Sequence, residues 1–277
     1  MSMDNKGILY VVGTPIGNLS DLTPRAAKTL EQVDFIAAED TRVTLKLLNH
    51  LGIKKPMMSY FEHNKQFRGE LICKRILEGE SCAVVTDAGM PCISDPGEEL
   101  IKQCAEYGIK TEVVPGPSAV ISALCVSGLY TGRFTFEGFL SVNKKSRREH
   151  LLTLVNAPRT MIFYEAPHKL ANTLKDFYDT FGDRRLTIAR ELTKLHEEII
   201  RTTTREAFER FSDGSLKGEM VLVLEGAPEV KEEEYTLSDA VSLAMKLVEE
   251  GAKASDAAKE AAKVTGFKKN EIYRELI

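Results

Sequence analysis

The sequence predicts an α/β fold, and three observations carry that expectation. Short apolar, β-branched runs alternate with amphipathic stretches over roughly the first 115 residues. Three of those runs pass into loops of Gly and Pro: Leu9–Val12 into Gly13 to Asn18, Ala83–Val85 into Asp87 to Pro91, and Glu112–Val114 into Pro115 to Ser118. The alternation then resumes and gives way to a purely helical tail. The first stretch implies a parallel sheet covered on both faces, because strand–helix–strand connections lay successive strands side by side. With those strands as neighbours, the three loops lie along one edge and wall a crevice with main-chain N–H and C=O groups. Open α/β sheets place ligands there.

In chain order, the first strand is expected over about Ile8–Val12. Thr23 then caps a helix with Pro24 in its first position and Ala26, Ala27 and Leu30 on its apolar face. Phe35–Ala38 reads as the second strand and ends in Glu39, Asp40, Thr41 and Arg42. A helix through Leu45, Leu47, Leu48 and Leu51 follows, then a short strand within Met57–Phe61 and a helix over about Lys65–Glu78, stopped by Gly79. Beyond Ala83–Val85, Leu100, Ile101, Cys104 and Ala105 share one helical face, with Ser94 or Asp95 as the expected N-cap and Pro96 first in the helix. The strand ahead of Pro115 closes this half.

From Ser118 to about Ser127 the residues are apolar on most sides, which predicts a buried helix. Phe134–Leu140 reads as a strand. Ser141–Arg148 reads as a basic loop carrying Lys144, Lys145, Arg147 and Arg148. Thr160–Tyr164, Leu186–Arg190 and Glu219–Leu224 are further strands, with a helix from about His168 to Phe181. A charged run from Glu191 to Glu198 separates the last two strands. The expected domains are 1–117 and 118–227, both α/β, and, past a charged linker from Pro228 to Tyr235, a small helical unit over 236–277 broken at Gly251 and Gly266. A helix-turn-helix-like reader and a plain helical cap both fit that tail.

Composition excludes several classes. A net charge of −4 confines any nucleic-acid contact to a local patch. Five scattered cysteines, with no C-x-x-C pair, read as buried free thiols in a reducing cytoplasm. No apolar run approaches membrane-spanning length. The five histidines lack ligand spacing, so no metal is expected. Pro15 breaks any G-x-G-x-x-G reading of the first loop, and neither a Walker Lys-Ser/Thr nor a G-x-S-x-G elbow occurs.

Six ordered motifs remain: Gly13–Leu19, Ala38–Arg42, Asp87–Gly97, Val114–Ala119, Phe163–His168 and Ala189–Lys194. Together they resemble the ribosomal RNA small subunit methyltransferase I family of the tetrapyrrole methylase (class III) superfamily, over about residues 7–226; one departure is Met90, where Thr is expected. The resemblance implies two α/β domains with a cofactor cleft between them, S-adenosylmethionine as cofactor, and a homodimer. It implies methyl transfer to the ribose 2′-hydroxyl of a cytidine in the decoding centre of 16S rRNA, within the small ribosomal subunit. Cofactor contacts would fall on Pro15, Ile16, Met90, Ile93, Ala119, Val120, Tyr164, Leu192 and Met220. Their apolar character suits a reaction in which charge disappears along the path.

A ribose hydroxyl is a poor nucleophile, so a group that takes its proton is expected. Asp40, Asp87, Glu165, Glu191 and Lys194 lie at strand ends on the expected edge, and each could equally be a structural cap or ion-pair member. Lys144, Lys145, Arg147 and Arg148 are the expected RNA phosphate contacts. The competing readings are a methylase of tetrapyrrole-type small molecules and a non-catalytic nucleic-acid-binding protein.

Overall fold

A computed structural model describes residues 7–228 and 235–277, which group into two compact units, 1–227 and 228–277. Most of the expected charged linker, residues 229–234, lies outside the described residues.

The first sheet is built from β1 (Ile8–Val12), β2 (Phe35–Ala38), β3 (Met57–Ser59), β4 (Cys82–Val85) and β5 (Lys110–Val114). Their order is β3-β2-β4-β1-β5, parallel throughout. The crossovers are α1 (Pro24–Gln32), α2 (Thr41–Leu51), α3 (Lys65–Leu77) and α4 (Glu98–Glu106). Successive side chains of a strand point to opposite faces, so each central strand feeds two cores. Leu9, Phe35 and Val84 pack with Ile72 and Leu100 on one face. Val12, Ile36 and Ala83 pack with Leu30 and Leu48 on the other. Thr23 caps α1 as expected, its hydroxyl accepting from Ala26 N at 3.1 Å.

The start of α4 corrects the sequence reading. Neither Ser94 nor Asp95 caps it; the helix begins at Glu98 with Gly97 in the cap position. Cys92 and Ser94 adopt left-handed backbone (φ 71° and 63°) and Gly97 has φ 146°. The chain between β4 and α4 therefore turns back on itself before the helix can start.

The second sheet follows α5 (Ala119–Ser127). It comprises β6 (Phe134–Phe139), β7 (Thr160–Glu165), β8 (Arg185–Arg190), β9 (Glu198–Thr203) and β10 (Met220–Leu224). Its order is β6-β7-β10-β8-β9. Only β6 and β7 are parallel; β10 runs antiparallel to both β7 and β8, and β9 antiparallel to β8. The helices are α6 (Lys144–Thr153), α7 (Leu170–Phe181) and α8 (Thr204–Phe211). Strand β9 and helix α8 escape sequence reading. In the edge strand β9 only Ile200 is buried, so charged neighbours mask its pattern. The basic segment is not a loop but the start of α6, capped by the Asn143 side-chain Oδ1, which accepts from Lys145 N (3.0 Å) and Ser146 N (3.2 Å). Phe163, Phe177 and Leu222 fill one side of the sheet. Ile162, Val221 and Val223 meet Val120 and Leu124 of α5 on the other.

The second unit contains α9 (Leu237–Glu249), α10 (Ala254–Thr265) and α11 (Lys269–Leu276). Ala240, Ala244, Ala257, Ala258 and Ala261 pack with Ile272, small side chains that let the helices approach closely. Thr236 and Asp239 form a capping box at the start of α9. Among the described residues no helix is long and apolar enough to cross a membrane.

Candidate active site

The three Gly/Pro loops lie side by side because β4, β1 and β5 are adjacent and parallel. Thr14 N donates to Gly89 O (2.9 Å) and Gly89 N to Thr14 O (3.1 Å), while Gly13 N donates to Val114 O (3.0 Å). Gly13 and Gly116 touch main chain to main chain: a Cβ on Gly116 would lie 2.9 Å from Gly13 Cα. Only glycine permits that approach.

Beside these loops opens a cavity of about 420 Å³. The first sheet contributes Ile16, Glu39, Thr86 to Met90, and Ile93 to Asp95; Ser118 and Ala119 follow at the start of α5. The second sheet contributes Phe139, Tyr164 to Pro167, Ala189, Leu192 and Glu219 to Val221. Phe136 and Phe139 brace the Tyr164 ring at centroid distances of 5.0 and 5.3 Å. Phe163, the next residue back, points to the opposite core, as strand alternation requires.

Of the residues expected to contact a cofactor, Ile16, Met90, Ile93, Ala119, Tyr164, Leu192 and Met220 lie on the cavity wall. Pro15 and Val120 do not; Val120 is buried behind it among Ala123, Leu124 and Ile162. The expected proton acceptors divide as well. Asp87 and Glu165 line the cavity, whereas Asp40, Glu191 and Lys194 do not.

Local partners explain each of these carboxylates. Asp40 caps α2 and chelates Arg42, whose side chain holds the carboxyl at about 2. Glu165 is buried, accepting from the Thr173 hydroxyl and from Ala166 N (2.8 Å). Glu191 is held below the usual carboxylate range, first by Glu219 N and then by Lys194. Burial opposes the charge on Lys194, but hydrogen bonds to Glu219 (2.8 Å) and Glu191 (3.0 Å) outweigh it and keep the ammonium protonated. The turn that carries this pair has left-handed residues at Glu191 (φ 52°) and Thr193 (φ 65°) and packs on Gly17, where a Cβ would meet Leu192 O at 2.9 Å.

Two lining carboxylates are raised instead. Burial, followed by repulsion from Glu39, lifts Asp95 to about 6, and the same two causes lift Asp87. Glu39, Asp95, Phe139 and Glu219 line the cavity without having been singled out as site residues in the sequence. The only signal for Asp95 was its place in the Gly/Pro loop, where it read as a cap. On the outer surface, Lys144, Lys145 and Arg148 are exposed on α6, while Arg147 turns inward to Asp176 (2.6 Å) and the Ser141 carbonyl (3.2 Å).

The family model for Tetrapyrrole (Corrin/Porphyrin) Methylases matches residues 8–207. A Synechocystis protein named ribosomal RNA small subunit methyltransferase I is 44% identical over 97% of this chain and 96% of its own length. One of the same name from Thermotoga maritima is 49% identical over 79% of this chain and 99% of its own length. Uroporphyrin-III-C-methyltransferase from Thermus thermophilus superposes with a TM-score of 0.57 at 19% identity, covering 79% of this chain and 94% of that one. A structure of a diphthine synthase superposes at 0.58 with 12% identity, covering 79% and 89%. Those superpositions establish the fold. With the family model spanning most of its length and near-full-length relatives sharing more than two residues in five, the chain belongs to the tetrapyrrole (corrin/porphyrin) methylases and, within them, to the ribosomal RNA small subunit methyltransferase I family.

Proposed function

We propose that this protein transfers a methyl group from S-adenosylmethionine to the ribose 2′-hydroxyl of cytidine 1402 in 16S rRNA. The observation that carries the reading is the cavity, where strand-end loops of one sheet face the apolar wall of the other. Its volume of about 420 Å³ falls in the range of small-molecule sites. Ile16, Met90, Ala119, Leu192 and Met220 offer apolar surface to an adenosyl group, and the main chain of the loops offers fixed donors and acceptors. When bound, S-adenosylmethionine supplies an electrophilic methyl on a sulfonium sulfur. Ile16, Leu192 and Met220 exclude water from the path, and the Thr14–Gly89 pairing fixes the loops so that alignment precedes reaction.

Lys144, Lys145 and Arg148 bind RNA phosphates in this reading, with Arg147 anchoring the turn that presents them. The halves 1–117 and 118–227 act as two domains flanking the cleft, and the protein works in the cytoplasm as a homodimer, which sedimentation at micromolar concentration tests. The decisive experiment supplies labelled S-adenosylmethionine and small ribosomal subunits from a strain lacking the modification. Label at the cytidine ribose is expected; label transferred to a porphyrinoid alone, or cofactor binding without transfer, overturns the reading.

A further inference from the structure

Two aromatic side chains stand on the cavity wall among the described residues, Tyr164 and Phe139. Tyr164 is half-buried, whereas Phe139 is 56% exposed. A lone exposed ring is ordinary on an outer surface. On the wall of a cavity it offers a flat face to whatever enters.

The backbone is shaped to put it there. Simple alternation along β6 would send Phe136 and Phe139 to opposite faces, because their separation is odd. Yet both rings pack on Tyr164. A β-bulge makes the difference: Phe136 pairs with Ile162 and Gly138 with Phe163, which leaves Glu137 over. Gly138 takes left-handed backbone (φ 66°), and Glu137 is anchored to His150 of α6 at 2.9 Å. Bulges are rare in parallel pairs, and beside active sites they re-aim a side chain. Arg147 then fixes the turn that follows, donating to the Ser141 carbonyl (3.2 Å) and pairing with Asp176.

Register locates the ring within the cavity. Phe139, Tyr164, Val221 and Ala189 are partners in one row across β6, β7, β10 and β8, and all four line the wall. At roughly 4.8 Å between neighbouring strands, the row is about 14 Å long. Of the apolar residues assigned above to the adenosyl group, Met220 opens β10 and Leu192 follows β8, towards one end of that row. Phe139 is at the other end, on the edge strand, with the exposed Lys144 and Lys145 close behind it in the chain.

We propose that Phe139 is the stacking platform for the base of the nucleotide being methylated; this rests on the methyl-transfer reading above. The 2′-hydroxyl has to enter the cavity to meet the methyl group. Its base, joined to the adjacent ribose carbon, is carried with it as far as the rim. A base drawn out of its own stack loses π contacts, and an aromatic face restores them. Every base has such a face, so Phe139 orients the ribose without selecting cytosine. The flanking phosphates are left to Lys144, Lys145 and Arg148, which fix position and not sequence.

The test uses the full chain with Phe139→Ala, Phe139→Leu and Phe139→Tyr. Each is assayed for methyl transfer to unmodified small subunits, for S-adenosylmethionine binding by calorimetry, and for melting temperature. The kcat/KM for subunits should fall roughly 10- to 100-fold in Phe139→Ala and nearly as far in Phe139→Leu. Leucine keeps apolar packing on Tyr164 but has no flat face, so its loss at an unchanged melting temperature separates stacking from folding. Phe139→Tyr should stay within about threefold of wild type, and cofactor Kd should move less than about threefold in all three.

Phe139→Leu as active as wild type, or Phe139→Tyr as poor as Phe139→Ala, overturns the assignment. So does a loss of transfer matched by weaker cofactor binding, which would set the ring against the methyl donor instead. If wild type binds the cofactor yet methylates no subunit, the functional reading fails and the platform with it. An active wild type beside equally active variants removes the platform alone.

Discussion

The two sheets meet the same cavity in different ways. In the first, every strand is parallel, so the C-terminal ends of β1, β2, β4 and β5 all reach one edge. What they deliver there is loop backbone, at Ile16 and from Thr86 to Met90, together with the acids Glu39, Asp87 and Asp95. In the second, β10 runs against β7 and β8, so Met220 at its start sits across from Glu165 and Arg190 at their ends. That edge delivers side chains: Tyr164, Ala189, Met220 and Val221 form an apolar wall, and its two acids are tied up by Thr173 and Lys194. A main-chain wall tolerates side-chain change but no loss of close approach. A side-chain wall behaves in the opposite way.

Gly116→Val gives the largest effect that contrast predicts. Its Cβ would sit 2.9 Å from Gly13 Cα with backbone on both sides, so the loops must part. Overpacking of this kind costs about 1–3 kcal/mol, and calorimetry should show S-adenosylmethionine affinity falling by roughly 100-fold or more. Cofactor binding that survives this change would break the idea of a main-chain wall.

Tyr164 tests the other side. Tyr164→Ala removes the ring packed on Phe136 and Phe139 and should lower stability by about 1–3 kcal/mol while weakening cofactor binding roughly tenfold. Tyr164→Phe keeps the ring and should leave both nearly unchanged. Equal damage from the two would mean that the hydroxyl, not the surface, matters.

Replacing Lys144, Lys145 and Arg148 together by Ala leaves both walls intact. Subunit binding should weaken by roughly tenfold at low salt and its salt dependence should flatten, with cofactor Kd unchanged. Arg147→Ala should instead lower the melting temperature, because its guanidinium is held by Asp176 and a carbonyl and is largely covered. Asp40→Asn should show the smallest effect. Asn preserves the cap on α2, and the Arg42 pair it removes is solvent-exposed, so turnover should not change measurably.

The sequence by itself determined what depends on neighbours within a few positions. Strands β1, β2 and β4 follow from short apolar runs, β5 from Val113 and Val114 ahead of Pro115, α1 from Thr23 and Pro24, and the tail helices from apolar spacing broken at Gly251 and Gly266. Seven of the nine residues expected to contact a cofactor lie on the cavity wall, and Ile16, Met90, Ile93 and Ala119 reach it because the parallel strands of the first sheet bring their ends to one edge. Tertiary structure alone decided which polar groups remain available there. Glu165 is quenched by Thr173 from α7, Lys194 is locked between Glu191 and Glu219, and Asp95 is left facing Glu39 from a different strand end. Those outcomes turn on which distant segments become neighbours and on where each donor's proton goes, and local spacing carries no record of either.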